Sequence, residues 1–499
     1  MINFESIPGG GQLRVPFAYI EFNNSLAEGL PADNVTALIV GQRLACGGVA
    51  ANVPTPVSGG AQAAADFGAG SMLASMCDWF FSVNKSTPVV AIALDDAGSG
   101  AAAAGSLAVS GPATGSGTLQ IYIGGVAVPV AVASGDSAAS IATAIVAAVT
   151  ANATTALNPR QQLAVTAVVN SETATQVDLT AVHKGECGND IDVRLNYYTG
   201  DAMPAGVGVT ITGMTGGTGN PDISTVIAAL GDVQYNVIVY PYTDATNQAL
   251  LEAELTSRFG GVRQIEGVAW TAYRGAATAT DTFGAARNSP LVTTLGTALV
   301  PDPPYAWAAV AAGVGAPSLA ADPARPLQTL QLTGLKAPAQ ADAFTWQERN
   351  LHLHNGIATY TVQPGGAVQI ERMVTNYQTN ANDIADTSYL DIEKIYTLGY
   401  LRFSTRATIT RKYPRCKLAD DSVTPAPGQA IVTPRVINAE LVSLAQDWVT
   451  AGLIQDLDDF KSALVSQINA SDPDRLDVLA SPKLVGQFRI FAEQIQFQL

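Results

Sequence analysis

Few residues in this chain could do chemistry. His183, His352 and His354 are its only histidines. His352 and His354 stand two apart in Asn350-Leu-His-Leu-His-Asn355. On a strand that spacing puts both imidazoles on one face, where they could begin a metal site. A third ligand is not evident, and two solvent-facing strand histidines are the simpler reading. The carboxylate pairs Asp95-Asp96, Asp420-Asp421 and Asp458-Asp459 are adjacent in sequence. Adjacent side chains diverge on either a strand or a helix, so these pairs read as turn and helix-start residues rather than an acid/base couple. Cys46, Cys77, Cys187 and Cys416 form no C-x-x-C pair and read as ordinary thiols of a reducing compartment. No lysine follows a glycine, so the phosphate-cradling end of a P-loop is missing. G-x-S-x-G and H-E-x-x-H are missing too. Gly216-Gly217-Thr218-Gly219-Asn220-Pro221 precedes a helix, whose N-terminus attracts anions, but it lacks the dinucleotide spacing and reads as a flexible junction. The reading assigns no catalytic, cofactor-binding or metal-ligating residue and implies no cofactor.

The elements that would position any site are better marked. At about 150 residues per domain, 499 residues suggest roughly three domains. A net charge of −16 argues against a nucleic-acid partner, whose phosphates need a basic field. Met1 to Gly11 has no basic residue and no apolar run, so no export signal is expected. The uncharged stretch Ala97 to Gly135 is broken by many glycines and by Pro112 and Pro129, which argues against membrane insertion.

Val35 to Val40 reads as a buried strand, Ala61 to Val83 as helical, and Val89 to Leu94 as a second strand: a β-α-β unit with a parallel sheet. Alternation resumes with a helix near Ile223 to Leu230, a strand at Tyr235 to Tyr240, a helix at Leu250 to Phe259 and a strand at Val268 to Tyr273. Between the two halves, β-type runs at Thr118 to Ile123, Val126 to Val132, Gln162 to Val169 and Ile191 to Tyr197 surround one helix at Ser140 to Val149. That region is an insertion of mostly β character, a kind of addition that exposed loop tips tolerate.

The C-terminal third is polarised. Arg402, Arg406, Arg411, Lys412, Arg415 and Lys417 occur without an acid among them. Glu440, Asp447, Asp456, Asp458, Asp459, Asp472, Asp474 and Asp477 then dominate. The two blocks could pair internally, be solvated, or set register between identical subunits. Leu441, Leu444, Ala445 and Trp448 form the stripe of a helix beginning at Pro434. Leu457, Phe460, Leu464 and Ile468 form that of a second. Val485 to Leu499 ends as a strand whose apolar parity changes: Phe488 and Ile490 are even, whereas Ile495, Phe497 and Leu499 are odd. Either a bulged edge strand or a strand that leaves to complete a neighbour's sheet accounts for this. Ile2-Asn3-Phe4-Glu5 is a second short alternating piece, set off by Gly9 to Gly11.

One set of motifs points to a family. It comprises Asp322-Pro-Ala-Arg-Pro-Leu-Gln328, Glu348-Arg-Asn-Leu351 with His354-Asn-Gly-Ile-Ala-Thr359, Ile370-Glu-Arg372, Lys412-Tyr-Pro-Arg415 with Lys417-Leu-Ala-Asp-Asp421, Pro427-Gly-Gln-Ala-Ile-Val-Thr-Pro-Arg435, Asn469-Ala-Ser-Asp-Pro473 and Gln487-Phe-Arg-Ile-Phe-Ala492. In that order they resemble the tail sheath proteins of Mu-like contractile phages, closely over Pro317 to Leu499 and more loosely across the α/β core. The resemblance implies a structural, non-enzymatic protein of the virion tail, assembled in the host cytoplasm. Such a subunit stacks as six-fold rings around an inner tail tube and contracts on a baseplate signal. The implied partners are other copies of the chain, the tube protein, and baseplate and tail terminator proteins. The resemblance also implies terminal strands donated to neighbours, through Ile2 and Phe4 at one end and Ile495, Phe497 and Leu499 at the other. It points the insertion outward and the C-terminal domain toward the tube, with Arg411, Lys412, Arg415, Lys417, Asp456, Asp458 and Asp459 as candidate tube-facing or inter-subunit charges.

The expected fold is thus multidomain α/β: a discontinuous α/β core with a β-rich inserted domain, an α+β C-terminal domain and exchanged terminal strands. The expected divisions are an arm at 1–20, core at 21–95, insertion at 96–218, core again at 219–375, a C-terminal domain at 376–485 and a strand arm at 486–499. Two other functions are compatible with the residues: an α/β enzyme with an unusual site beside His183 or His354, and a surface protein that binds carbohydrate through the insertion.

Overall fold

Runs of buried apolar residues lay down the central sheet. In a computed structural model, which describes Val15 and residues 30–31, 34–423, 426 and 428–498, all six residues of β1 (Ala37–Gln42) are buried. Burial on both faces is the environment of a strand covered by helices on either side. The chain continues through β2 (Thr55–Val57), α1 (Gly60–Phe67), α2 (Met72–Val83) and β3 (Val89–Leu94). It then makes an excursion through β4 (Ala102–Ser110), β5 (Gly117–Ile123), β6 (Val126–Val132), α3 (Ala138–Thr155), β7 (Val165–Val169), β8 (Gln176–Lys184), β9 (Val193–Leu195) and β10 (Gly208–Thr215). The return supplies α4 (Ser224–Leu230), β11 (Val237–Val239), α5 (Ala245–Phe259), β12 (Val268–Tyr273), α6 (Ala277–Ala285), β13 (Val292–Gly296), α7 (Pro304–Ala321), α8 (Trp346–His354), β14 (Ile357–Val362) and β15 (Val368–Arg372). The core sheet has the order β15-β14-β13-β12-β11-β1-β3-β2. The ladders joining β3, β1, β11, β12, β13 and β14 are parallel, and β2 and β15 close the edges antiparallel.

Helix α7 is apolar on every side and buried along most of its length, so it lies inside the unit against α2 and β12. It comes so close that a Cβ on Gly313 would stand 2.7 Å from Val83 Cγ2, and one on Gly315 would stand 2.6 Å from the Trp270 ring. Pro317 lies within the helix and has no N–H for the carbonyl four residues back. That carbonyl belongs to Gly313, and Asn84 Nδ2 donates to it at 3.0 Å.

The excursion builds its own core. Its strands form two antiparallel sheets, β10-β4-β8-β7 and β6-β5-β9. Leu107, Ile121, Val130, Val177 and Leu179 pack with Ile141 and Ile145 of α3. Helix α3 is long and apolar enough to cross a membrane by composition alone, yet Ile141, Ala142, Ile145 and Val149 are buried here within the protein. Ser137 caps its start by accepting from Ser140 N–H.

Two compact units result: Asn34–Gly399 with the segment from Gln487 onward, and a second that contains Tyr400–Gly486. The helix α9 (Ile392–Lys412) has residues in both. In the second unit, β16 (Lys417–Leu418) and β17 (Ile431–Val432) precede α10 (Pro434–Thr450), which has Pro434 in its first turn. Ile437, Leu441, Leu444, Ala445 and Trp448 form its buried stripe. Trp448 donates its indole N–H to Ser404 Oγ at 3.0 Å, and the Phe460 ring meets it edge-on. The remaining elements are β18 (Ile454–Gln455), α11 (Leu457–Ala463), β19 (Val465–Ile468), β20 (Leu476–Leu479) and β21 (Lys483–Leu484).

Three local expectations change. The second C-terminal helix stops at Ala463. Leu464 is extended, and Val465 to Ile468 pair with Leu476 to Leu479 instead. Asn469 closes that hairpin by accepting from the N–H groups of Ser471 and Asp472. His352 and His354 lie on α8, not on a strand, because a Thr345–Glu348 capping box starts a helix just upstream. Residues 485–498 belong to no ladder beyond the single bond from Val485 N–H to Leu453 O.

Candidate interaction surfaces

An open α/β sheet places its ligands outside the carboxyl ends of the strands, where the strand order reverses. Here that point lies between β1 and β11, since the chain runs from β1 to β3 on one side and later to β11 on the other. It is filled by the root of the excursion. Gln42, the last residue of β1, donates to Asp96 Oδ1 and to Lys184 O, both at 2.7 Å. The Lys184 N–H donates to Asp96 Oδ2 at 2.9 Å. His183 Nε2 accepts from the Met72 N–H at 3.1 Å, so the ring proton sits on Nδ1 and is donated to Asp96 Oδ1 at 2.9 Å. Burial alone would raise the Asp96 carboxyl, but the bonds from His183, Lys184 and Gln42 outweigh it and hold the group below the ordinary range. Asn220 Nδ2 to Asp244 Oδ2, at 2.7 Å, ties the return segment to the start of α5.

This network is a joint. Arg274 reinforces it through Asp192 at 2.6 Å, as do Arg194 through Leu299 O at 2.9 Å and Tyr197 through Ala337 O at 2.8 Å. His352 is fully buried and hydrogen-bonded to Asp281 at 2.7 Å, with the Phe344 ring edge-on against it. Residues two apart on a helix diverge, so His352 and His354 share no face. Among the described residues no cluster of His, Cys, Asp and Glu could hold a metal ion. A cavity of about 600 Å³ opens between the excursion and the core, lined by Trp79, Tyr122, Arg160, Tyr198, Asp302 and Lys336. Its charges are already committed, Arg160 to Asp78 at 3.7 Å and Lys336 to Asp302 at 3.2 Å. Burial pushes the Asp190 carboxyl up to about 6, but that group belongs to the excursion's packed root.

The C-terminal charges are distributed among local partners. Lys412 Nζ meets Glu440 at 2.6 Å, and Tyr413 donates to the same carboxylate at 3.0 Å. Lys417 Nζ reaches Gln429 at 3.2 Å, while Arg411 and Arg415 are exposed. Asp456 pairs with Lys483, and Asp458 with Lys461 at 3.1 Å. Asp458 and Asp459 sit in the first turn of α11, where negative charge complements the helix dipole.

Apolar exposure distinguishes two other places. From Phe488 onward the side chains of Phe488, Ile490, Phe491, Ile495 and Phe497 face water, with Ile495 at 75% and Phe497 at 79% exposure. Ile2, Phe4 and Leu499 lie outside the described residues. The second place is the isolated hairpin β19–β20, which exposes Val465, Val478 and Leu479. Sequence reasoning had put Ile468 on a helix and so did not find this hairpin; the turn signature at Asn469 to Pro473 was the available signal.

Two family models match the chain: the phage tail sheath protein central domain over residues 216–376 and the phage tail sheath C-terminal domain over residues 385–498. The Mu-like prophage FluMu tail sheath protein of Haemophilus influenzae is 42% identical over 499 residues, the full length of both chains. Among solved structures, a chain of the six-fold symmetrised anti-feeding prophage baseplate aligns with a TM-score of 0.50 at 10% identity, covering 98% of this chain and 100% of its own. A chain of the contracted PVC sheath complex, an extracellular contractile injection system, aligns at 0.50 and 8% identity, covering 98% of each. These distant likenesses show a shared multidomain α/β fold, while the full-length identity and the two matched domains show kinship. This chain belongs to the phage tail sheath family, on its Mu-like branch, and is a structural component of a contractile virion tail.

Proposed function

We propose that the chain polymerises as stacked six-fold rings around an inner tail tube and that the polymer shortens on a baseplate signal, driving the tube through the host envelope. The observation that carries this reading is the arm. A row of large apolar side chains stands in water on a segment without a ladder partner, and the C-terminal unit carries a two-stranded hairpin whose outer edges are open among the described residues. An isolated two-stranded hairpin is marginal by itself, and an extended peptide can add a strand to an open edge. Ile495, Phe497 and Leu499 from one copy would complete β19–β20 of another, and Ile2 and Phe4 would add the second donated strand. Strands shared in this way keep subunits linked while they rotate.

The subunit does this work without catalysis. Shortening is a fall from a kinetically trapped arrangement to one that buries more surface between copies. The excursion over 96–218 would face outward, and the domain over 376–485 would face the tube, with Arg411, Lys412, Arg415, Lys417, Asp456, Asp458 and Asp459 setting register between surfaces. Baseplate and terminator proteins would close the two ends, and assembly would take place in the host cytoplasm. Electron microscopy of the purified protein tests the reading. Hollow cylinders of regular width are expected at high concentration, and persistent monomers would overturn it.

A further inference from the structure

The arm has a root. Residues 487–490 alternate: Phe488 and Ile490 are 80% and 81% exposed, whereas the Arg489 side chain between them is turned inward at 9%. Arg489 Nη2 lies 3.1 Å from both carboxylate oxygens of Glu393 and 3.3 Å from Asp391 Oδ1. Arg489 Nε donates to Gln487 Oε1 at 2.9 Å, and Gln487 Nε2 donates to Ala324 O at 3.2 Å. Glu393, fully buried in the first turn of α9, also accepts from the Leu327 N–H at 2.9 Å. Asp391 is shared with Arg372 at 2.9 Å and Lys394 at 3.8 Å. Asp391 therefore keeps cations if Arg489 is removed. Glu393 would be left with a backbone N–H as its shown partner, and a buried carboxylate stripped of its cation is strongly unfavourable.

We infer that Arg489 is a latch: it fixes the point at which the C-terminal arm leaves its own subunit, so that residues 490–498 reach a neighbouring copy from a set position. The inference rests on the arm donation proposed above. The residues beyond the latch are exposed on their own subunit and cannot define the departure point themselves. About nine extended residues span roughly 30 Å, so a root that slips redirects the whole arm. It would also let tension on the arm peel its first residues away. Nε holds Gln487 while Nη2 holds both carboxylates, and a lysine ammonium offers one nitrogen in place of that planar pair.

Tryptic cleavage after residue 489 reads the latch on the full-length monomer, because the guanidinium must leave Glu393 to enter the protease. In Arg489→Lys, which keeps a cleavage site, cleavage at that bond is expected to be at least tenfold faster than in the wild type. Equal rates would overturn the latch. Assembly is read with Arg489→Met/Glu393→Gln, in which no stripped buried carboxylate remains to disturb folding. An unchanged melting temperature with at least tenfold less polymer is expected, and polymer equal to wild type would overturn the inference. A chain lacking residues 494–499 separates the two ideas. If it fails to polymerise while the double variant polymerises normally, donation stands and the latch falls. If the truncated chain itself forms tubes, donation falls, and with it the latch as an assembly device, whatever trypsin reports.

Discussion

The excursion and the C-terminal unit are both modest, strand-containing additions to the α/β core, but they finish their hydrogen bonding differently. The excursion closes four- and three-stranded sheets over α3 and buries Leu107, Ile121, Ile145 and Leu179. Among the described residues of the C-terminal unit the strands pair only two by two, and Val465, Val478 and Leu479 stay exposed on one of those ladders. One region is complete within a single chain. The other has the open edges that native proteins normally cover or blunt, which is sensible where another copy supplies the cover.

Removing the proposed cover should have the largest effect. A chain lacking residues 494–499 should stay folded and soluble and yet form no tubes, by sedimentation and electron microscopy, since residues 494–498 are exposed on their own subunit. The opposite result is expected from the excursion. Leu179→Ala opens a cavity in its packed core and should cost about 2 to 5 kcal/mol of stability, read by thermal melting, while molecules that remain folded still polymerise. If the truncation destabilises the subunit as much as Leu179→Ala does, the contrast between the two regions collapses.

Leu479→Asp sharpens the same contrast at a single position. The side chain is 64% exposed on β20, so the change should alter monomer stability by no more than about 0.5 kcal/mol. Assembly should fall several-fold in a light-scattering time course, because a charge would be buried against the donated strand. A smaller effect is expected at Lys412, whose pairing with Glu440 is partly exposed. Lys412→Met should change stability by about 0 to 1 kcal/mol, and a larger loss of polymer than of stability would place this residue at a contact between copies.

How much of this was legible in the chain depends on whether a segment's surroundings leave a mark on its own residues. Val89–Leu94 and Val268–Tyr273 lie where their apolar runs predict, because a strand buried on both faces is continuously apolar. Helix α7 left no periodic mark, since it is buried all round and has no polar face to set a phase. The Thr345–Glu348 capping box was written in the sequence, and reading it would have moved His352 and His354 onto a helix. The charge block from Arg402 to Lys417 was visible, but its partners are set by tertiary contacts: Lys412 meets Glu440 across 28 positions of sequence. The arm's parity break was legible as well. Its anchorage was not, since Glu393 and Arg489 are 96 positions apart and neither is unusual locally.

The smallest effect concerns the joint that holds the finished region to the core. The Asp96 carboxyl is held below its ordinary value, where the bonds from His183, Lys184 and Gln42 overcome the opposing effect of burial. A carboxylate depressed in the folded state contributes stability that is fully present above its unfolded value of about 3.9. That contribution is lost as pH falls through the lower folded value. Asp96→Asn keeps the shape but has one acceptor oxygen where two are used, so it should lower the melting temperature modestly at neutral pH. Between about pH 5 and pH 3 the gap between wild type and variant should narrow, because protonation costs only the wild type its carboxylate. A gap that widens with acid would mean that Asp96 does not hold the joint as an anion. A gap accompanied by lost polymer at neutral pH would show that assembly depends on the excursion's attachment, and the division between a self-sufficient region and an unfinished one would need redrawing at this joint.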